Sequence, residues 1–133
     1  MDDTDLKELS YAVRGAAMDV YNYLGPGLLE SLYEKAMICE LRMRGVHVES
    51  QVPIKVLYKG IVLSEDYKMD LLLEHTMIIE LKSVEKLLPI HYKQLRSYLK
   101  LANMQEGWLI NFNESDFSRG MVKVINRFYI PWE

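Results

Sequence analysis

Asp70 and the tripeptide Glu80-Leu81-Lys82 are the residues whose types and spacing could do chemistry in this chain. They flank a short polar turn at Glu74-His75, so they fall on two adjacent strands of a hairpin. Successive side chains on a strand point to opposite faces. Glu80 and Lys82 therefore share one face, and Ile79 and Leu81 take the other. Charge inside an apolar strand costs on the order of several kcal/mol unless it is paired or coordinates a metal. An acid on one strand and Glu-x-Lys on its partner is the donor set that metal-assisted hydrolysis of a phosphodiester requires. Two carboxylates suit a hard, oxygen-seeking ion such as Mg²⁺ (or Mn²⁺). Such an ion lowers the pKa of a bound water and offsets charge on the phosphate, and a lysine can orient that water or stabilise the transition state. The bare tripeptide serves equally as an exposed ion pair on a strand edge, so both readings stand at this point.

The elements that must position these residues follow from periodicity. Leu6, Leu9, Val13, Ala16, Val20 and Leu24 recur at steps of three and four, predicting a helix over 6–24 with Thr4 as N-cap. Gly25-Pro26-Gly27 stops it. A second helix is expected from Leu28 to Arg44, ending at Gly45. It carries Glu30, Tyr33, Glu34 and Met37 on one side and Leu28, Leu32, Ala36 and Cys39 on another, and spacing does not choose the buried side. From Val46 the period switches to two. Val46, Val48, Val52, Ile54, Val56 and Tyr58 alternate with polar residues, giving a strand with one wet face, and Pro53 places it at a sheet edge or beside a bulge. Lys59-Gly60 turns the chain into a strand over Ile61–Leu73, and Glu74-His75 into a third over Met77–Val84. Pro89 opens a helix over Ile90–Asn103, long enough for a right-handed crossover that lets a strand over Gly107–Phe112 lie parallel to the third. Asn113–Gly120 reads as a polar loop, and Met121–Trp132 fits a short helix or a final strand.

At 133 residues, with half of them hydrophobic, the chain has the size and composition of one globular domain over residues 1–133 that can bury a core without staples. The single cysteine, Cys39, excludes a disulfide framework and reads as a small core residue. An acidic N-terminus without the order of a signal peptide, and no apolar run near the roughly 20 residues of a membrane span, point to a cytoplasmic protein with no membrane. The net charge of −3 argues against a chain coated for nucleic acid. Locally the balance reverses. Lys93, Arg96 and Lys100 form one stripe of the crossover helix, suited either to a phosphate backbone or to plain solvation. His47, His75 and His91 are scattered without metal-ligand spacing, although His91 sits one turn before Gln94. Tyr33 either reaches a carboxylate or packs as a half-buried core tyrosine.

The arrangement resembles the PD-(D/E)XK nuclease superfamily, whose core is a helix, a three-strand meander, a crossover helix and a further strand. Asp70 matches its first acid and Glu80-Leu81-Lys82 its (D/E)XK tripeptide, with Met69 in place of the proline. Glu30 and the segment Gln94-Leu95-Arg96-Ser97-Tyr98 match the additional glutamate and the Gln-x-x-x-Tyr motif of the RecB-like branches. The chain is similar more closely still to the GxxExxY proteins. Gly27-Leu28-Leu29-Glu30-Ser31-Leu32-Tyr33 carries that motif, and Gln51-Val52-Pro53-Ile54, Tyr58-Lys59-Gly60, Glu80 to Val84 and Leu109 to Asn113 match further blocks in order. Tyr21 stands where many relatives have histidine, which speaks against a catalytic role at that position. The resemblance implies an α/β fold, a mixed α+β sheet of restriction-endonuclease-like order α-α-β-β-β-α-β. It implies a metal-dependent nuclease acting on DNA or RNA. Asp70, Glu80, the carbonyl of Leu81 and Glu30 would be metal ligands, and Lys82, Gln94 and Glu30 would join Asp70 and Glu80 in catalysis. Lys93, Arg96, Lys100 and Tyr98 would contact nucleic acid. The alternative is a non-catalytic nucleic-acid- or protein-binding module on the same fold. A homodimer or protein partner, joined through the apolar tail Phe128-Tyr129-Ile130-Pro131-Trp132, is one way to lengthen the cleft.

Overall fold

The structure, a computed structural model, describes residues 3–131, with side chains from residue 5 onward. Two helices, α1 (Asp3–Leu24) and α2 (Glu30–Met43), precede three strands, β1 (Val48–Tyr58), β2 (Ile61–Leu73) and β3 (Met77–Lys82). The crossover helix α3 (Pro89–Ala102) leads to β4 (Glu106–Asn111), and a 3-10 turn at Phe117–Gly120 leads to β5 (Met121–Ile125). The five strands form one sheet in sequence order. β3 and β4 are parallel, pairing Met77 with Glu106 through to Lys82 with Asn111, and the other pairs are antiparallel. The mixed sheet with its helical crossover is the expected fold.

Helices cover both faces. Leu9, Val13, Val20, Tyr33, Met37 and Leu41 pack with Leu71, Ile79, Leu81, Ile110 and Phe112 on one side. Leu95, Tyr98 and Leu99 pack with Met69, Ile78, Leu109 and Val124 on the other. Each such side chain, fully buried, contributes about 1.5–3 kcal/mol. In α2 the buried side is Tyr33, Met37 and Leu41, so Glu30 and Glu34 ride on the face turned toward the sheet. The Leu32 face is exposed and Cys39 with it, which corrects the placing of Cys39 in the core.

Several boundaries differ from the periodic reading for identifiable reasons. Helix α1 begins at Asp3, so Thr4 lies inside it and its side chain falls outside the described residues. Helix α2 starts at Glu30 because Leu28 is engaged elsewhere: its N–H donates to the Tyr33 hydroxyl (3.1 Å) and its carbonyl accepts from the Ser83 hydroxyl (2.6 Å). Strand β3 stops at Lys82 because the Asn111 amide takes both the N–H and the C=O of Val84. Met121–Ile125 resolves as a strand, and Asn126 ends it by donating to the carbonyls of Leu99 and Met104. Trp132 lies outside the described residues. Strand β1 is an edge strand as Pro53 required, and its register with β2 shifts after Ile54. Beyond that bulge the hairpin leaves the helical layers, and Leu57, Tyr58, Ile61 and Leu63 are exposed.

Tyr33 joins the Gly25–Leu28 loop to the core. Its ring stacks on Phe112 at 4.5 Å, and its hydroxyl donates to the Gly25 carbonyl while accepting the Leu28 N–H. Gly27, at φ 98°, occupies a backbone conformation that other residues rarely adopt, so the loop arrives where that hydroxyl can hold it. Tyr33→Phe should lower stability by about 1–2 kcal/mol, since it strands a peptide N–H and a carbonyl. A urea midpoint that falls with an unchanged m value would show this.

Candidate active site

The site lies where β2 parts from its neighbours. Strands β2 and β3 pair from Leu73/Met77 to Leu71/Ile79, and the ladder ends there. At the next position the side chains take over the free backbone donors. The Asp70 N–H donates to Glu80 Oε1 at 3.2 Å, and the Leu81 N–H donates to Asp70 Oδ2 at 2.8 Å. Each carboxyl is thus fixed by the backbone of the opposite strand. On the other side the β1–β2 ladder runs through Ser50/Leu71 and resumes at Val52/Met69, skipping Gln51 opposite Asp70. Gln51 has φ 52°, uncommon for a residue with a side chain. Strict alternation fails at this pair. Val48 and Leu71 pack toward α1 and α2, whereas Val52, Ile54 and Met69 pack toward α3. The single wet face expected for the whole of β1 is therefore corrected: the strand changes face at Gln51.

Asp70 is partly exposed, whereas Glu80 retains only 4% of its accessible surface. Burial is the main reason its carboxyl is pushed up to about 9, with the negative charge of Asp70 next, and Lys82 opposes the shift only weakly. A second buried acid makes the contrast. Glu106 accepts a hydrogen bond from the Ser10 hydroxyl and pairs with Lys123 at 3.6 Å. Glu80 faces another acid instead.

The flanking helices complete the surroundings. Glu30 accepts from the Ser83 N–H at 3.3 Å just past the end of β3. Among the described residues Glu30, Asp70 and Glu80 do not form a three-acid cluster within 4.8 Å, so Glu30 stands at the rim of the pair. Glu34, one turn further along α2, accepts from the Gln51 amide at 3.1 and 3.2 Å, and the same amide reaches Asp70 Oδ1 at 3.4 Å. Neither Glu34 nor Gln51 stood out from spacing alone. Helical periodicity put Glu34 beside Glu30, and that was the signal available.

From α3, Gln94 donates to the Tyr98 hydroxyl at 3.0 Å. Tyr98 is buried, and its hydroxyl is pushed above its ordinary range by burial and then by the charge of Glu80. Its ring packs in the core on the α3 side, edge-on to Tyr67 with centroids 6.2 Å apart. Lys93, Arg96 and Lys100 are exposed and line a groove of about 810 Å³ between α3 and β5, which Lys123 and Arg127 also line. Tyr33 makes no carboxylate contact and is fully buried. His91 accepts the Leu88 N–H at the start of α3, and Tyr21 donates to the Glu114 carbonyl. His47 and His75, far apart in sequence, meet with their ring centroids 5.0 Å apart, which overturns the scattered reading.

The burial of Glu80 fixes a pH dependence. Its folded pKa lies above the unfolded value of 4.5, so the stability it contributes is fully present below that value and is lost as pH rises toward about 9. In EDTA the protein should therefore lose stability between about pH 5 and pH 9, and Glu80→Gln should lose less. Urea unfolding at several pH values measures it, and parallel curves for the two proteins would contradict the assignment.

A family model described as the PD-(D/E)XK nuclease superfamily matches residues 7–124. No curated protein and no solved structure matched the chain. The matched span runs from within α1 into β5 and holds Glu30, Asp70, Glu80, Lys82 and Gln94. The chain belongs to the PD-(D/E)XK nuclease superfamily.

Proposed function

We propose that this protein is a metal-dependent nuclease of the GxxExxY type, hydrolysing phosphodiester bonds in DNA or RNA. The observation that carries this reading is the pair of carboxyls, Asp70 and Glu80, held together at the parting of β2 and β3 by each other's backbone. A buried carboxyl whose nearest charged neighbour is a second carboxyl is a donor set that favours a cation, and an all-oxygen set favours Mg²⁺ or Mn²⁺. Asp70, Glu80 and the Leu81 carbonyl would hold the ion, with Glu30 contributing directly or through water. Such an ion, when bound, supplies Lewis acidity to the phosphate and a more acidic water.

The protein's own residues do the rest. Glu80 gives up its proton to become a ligand, so the site is loaded more readily as pH rises. Lys82, on the Glu80 face of β3, orients the attacking water or meets charge developing on the phosphoryl oxygens. Gln51 holds Asp70 in place from the β1 side, and the Gln94–Tyr98 hydrogen bond closes the apolar wall over Glu80. Lys93, Arg96 and Lys100 would follow the phosphate backbone along the groove beside α3. Self-association through the exposed Phe128 and Ile130, or a protein partner, would lengthen that path. The reading places the reaction in the cytoplasm, and no helix among the described residues is long and apolar enough to cross a membrane.

A second reading, a non-catalytic nucleic-acid- or protein-binding module, is favoured by one observation: Glu30 is engaged with Ser83 and does not close on the carboxyl pair. Cleavage assays on mixed DNA and RNA with Mn²⁺ separate the two. The unmodified protein should cleave, Asp70→Ala should not, and Lys82→Ala should be slower by about 10²-fold or more. Cleavage that survives both substitutions would sink the site, and no cleavage with no metal-induced thermal shift would favour the module. Replacing Lys93, Arg96 and Lys100 together by Ala should weaken binding at low salt and flatten the slope of log K against log salt by about 2–3. An unchanged slope would remove the groove from the substrate path.

A further inference from the structure

A second cluster of ligating side chains lies at the opposite end of β3 from Lys82. His47, just ahead of β1, and Glu49 within it are two residues apart on extended backbone, so they face the same way. The β2–β3 turn brings His75 to them. His47 Nε2 stands 3.2 Å and His75 Nδ1 3.8 Å from the same oxygen, Glu49 Oε1, and the three ligand atoms lie within 4.8 Å of one another. Bonds of 2.0–2.1 Å in tetrahedral array separate ligand atoms by about 3.3 Å, so a small ion would be held once side-chain rotation draws these three together by about 1 Å. A direct hydrogen bond accounts for His47 with Glu49, but 3.8 Å is too long to account for His75.

The backbone around the cluster is committed to this arrangement. Glu74 and His75 both have positive φ, 50° and 54°, at the two central positions of the Leu73–Thr76 turn, where Asn and Gly are the commonest occupants. Histidine is tolerated at such a φ, and the conformation carries its imidazole back over β1 to Glu49 and His47. The approach is fixed from the other side as well: Glu74 N–H donates to the His47 carbonyl, and the His47 N–H donates to Glu74 Oε1, each at 3.0 Å. The ligand-bearing segments are thus held by one main-chain hydrogen bond and one from main chain to the Glu74 carboxylate, with both imidazoles exposed and Glu49 partly so.

We propose that His47, Glu49 and His75 form a binding site for a zinc-class divalent ion, one that clamps the start of β1 to the β2–β3 turn. Two imidazoles and one carboxylate suit Zn²⁺, Ni²⁺ or Cu²⁺ and are a poor set for Mg²⁺. The site is separate from the Asp70–Glu80 pair, since Leu73, where the turn begins, is three residues or about 10 Å along β2 from Asp70. It stands whether or not the nuclease reading does.

The test is a calorimetric titration of metal-free, full-length protein with Zn²⁺, using Asp70→Ala/Glu80→Gln to silence the carboxyl pair. In that background one Zn²⁺ should still bind, excess Mg²⁺ should not displace it, and adding His47→Gln and His75→Asn should weaken it at least tenfold. His75→Asn alone should leave the melting temperature in EDTA essentially unchanged, because asparagine and histidine are both tolerated at positive φ, while abolishing the upward shift produced by Zn²⁺. An unchanged metal-free melting temperature excludes misfolding as the cause. Zinc affinity unchanged by the two histidine substitutions, or no zinc bound once the carboxyl pair is silenced, would overturn the proposal.

Discussion

The structure is organised around one unfavourable fact, a carboxyl almost wholly removed from water beside another carboxyl. Glu80 is the only acid on β3, and its neighbours in the strand are Ile78, Ile79 and Leu81, all fully or nearly fully buried. Desolvation and like charge both push the proton onto it. A sheet that paired regularly through this position would bury the two acids with their backbone donors already spent. The strands part instead at Asp70, and the Asp70 and Leu81 N–H groups that leave the ladder become donors to the carboxyls. Two ladder hydrogen bonds are lost and two to carboxyl oxygens are gained, so the exchange is close to balanced locally. The result is a pair of carboxyls, each fixed by the backbone of the opposite strand.

Much of the remaining architecture serves that parting. Gln51 takes up positive φ so that β1 follows β2 through the change of face, and its amide ties Asp70 to Glu34. Tyr33 fastens the Gly25–Leu28 loop, and the Leu28 carbonyl with the Glu30 carboxylate at the start of α2 holds Ser83 just beyond β3. Asn111, fully buried on the neighbouring parallel strand, holds Val84 by both its backbone groups. Three unrelated contacts therefore stop β3 at Lys82 and turn the chain away from the site. Helix α3 covers the other side with Tyr98.

The strands, the crossover and the placing of Asp70 and Glu80 on facing strands were legible in the sequence because periodicity and turn residues report on local backbone. The edge position of β1 was legible from Pro53. What could not be read were features set by contacts between distant segments. The buried side of α2 depends on Phe112, which offers Tyr33 a stacking partner across the sheet. The change of face at Gln51 depends on Asp70 opposite, and alternation along β1 alone gives no sign of it. Tyr98 shares a helix with Lys93, Arg96 and Lys100, and only the position of β3 beneath α3 shows that it points inward. His47 and His75 lie at the two ends of a long hairpin, so no spacing rule along the chain could join them.

With its carboxyl pushed up to about 9, Glu80 would have to give up a proton to any divalent ion held by the proposed site. The direct measurement is calorimetric titration of Mn²⁺ at neutral pH in buffers of different ionisation enthalpy, with His47 and His75 both replaced so that one class of site is read. The account predicts release of close to one proton per ion bound, and none from Glu80→Gln if it binds at all. Binding that releases no proton in the Glu80 protein, or that is equally tight in Glu80→Gln, would contradict it.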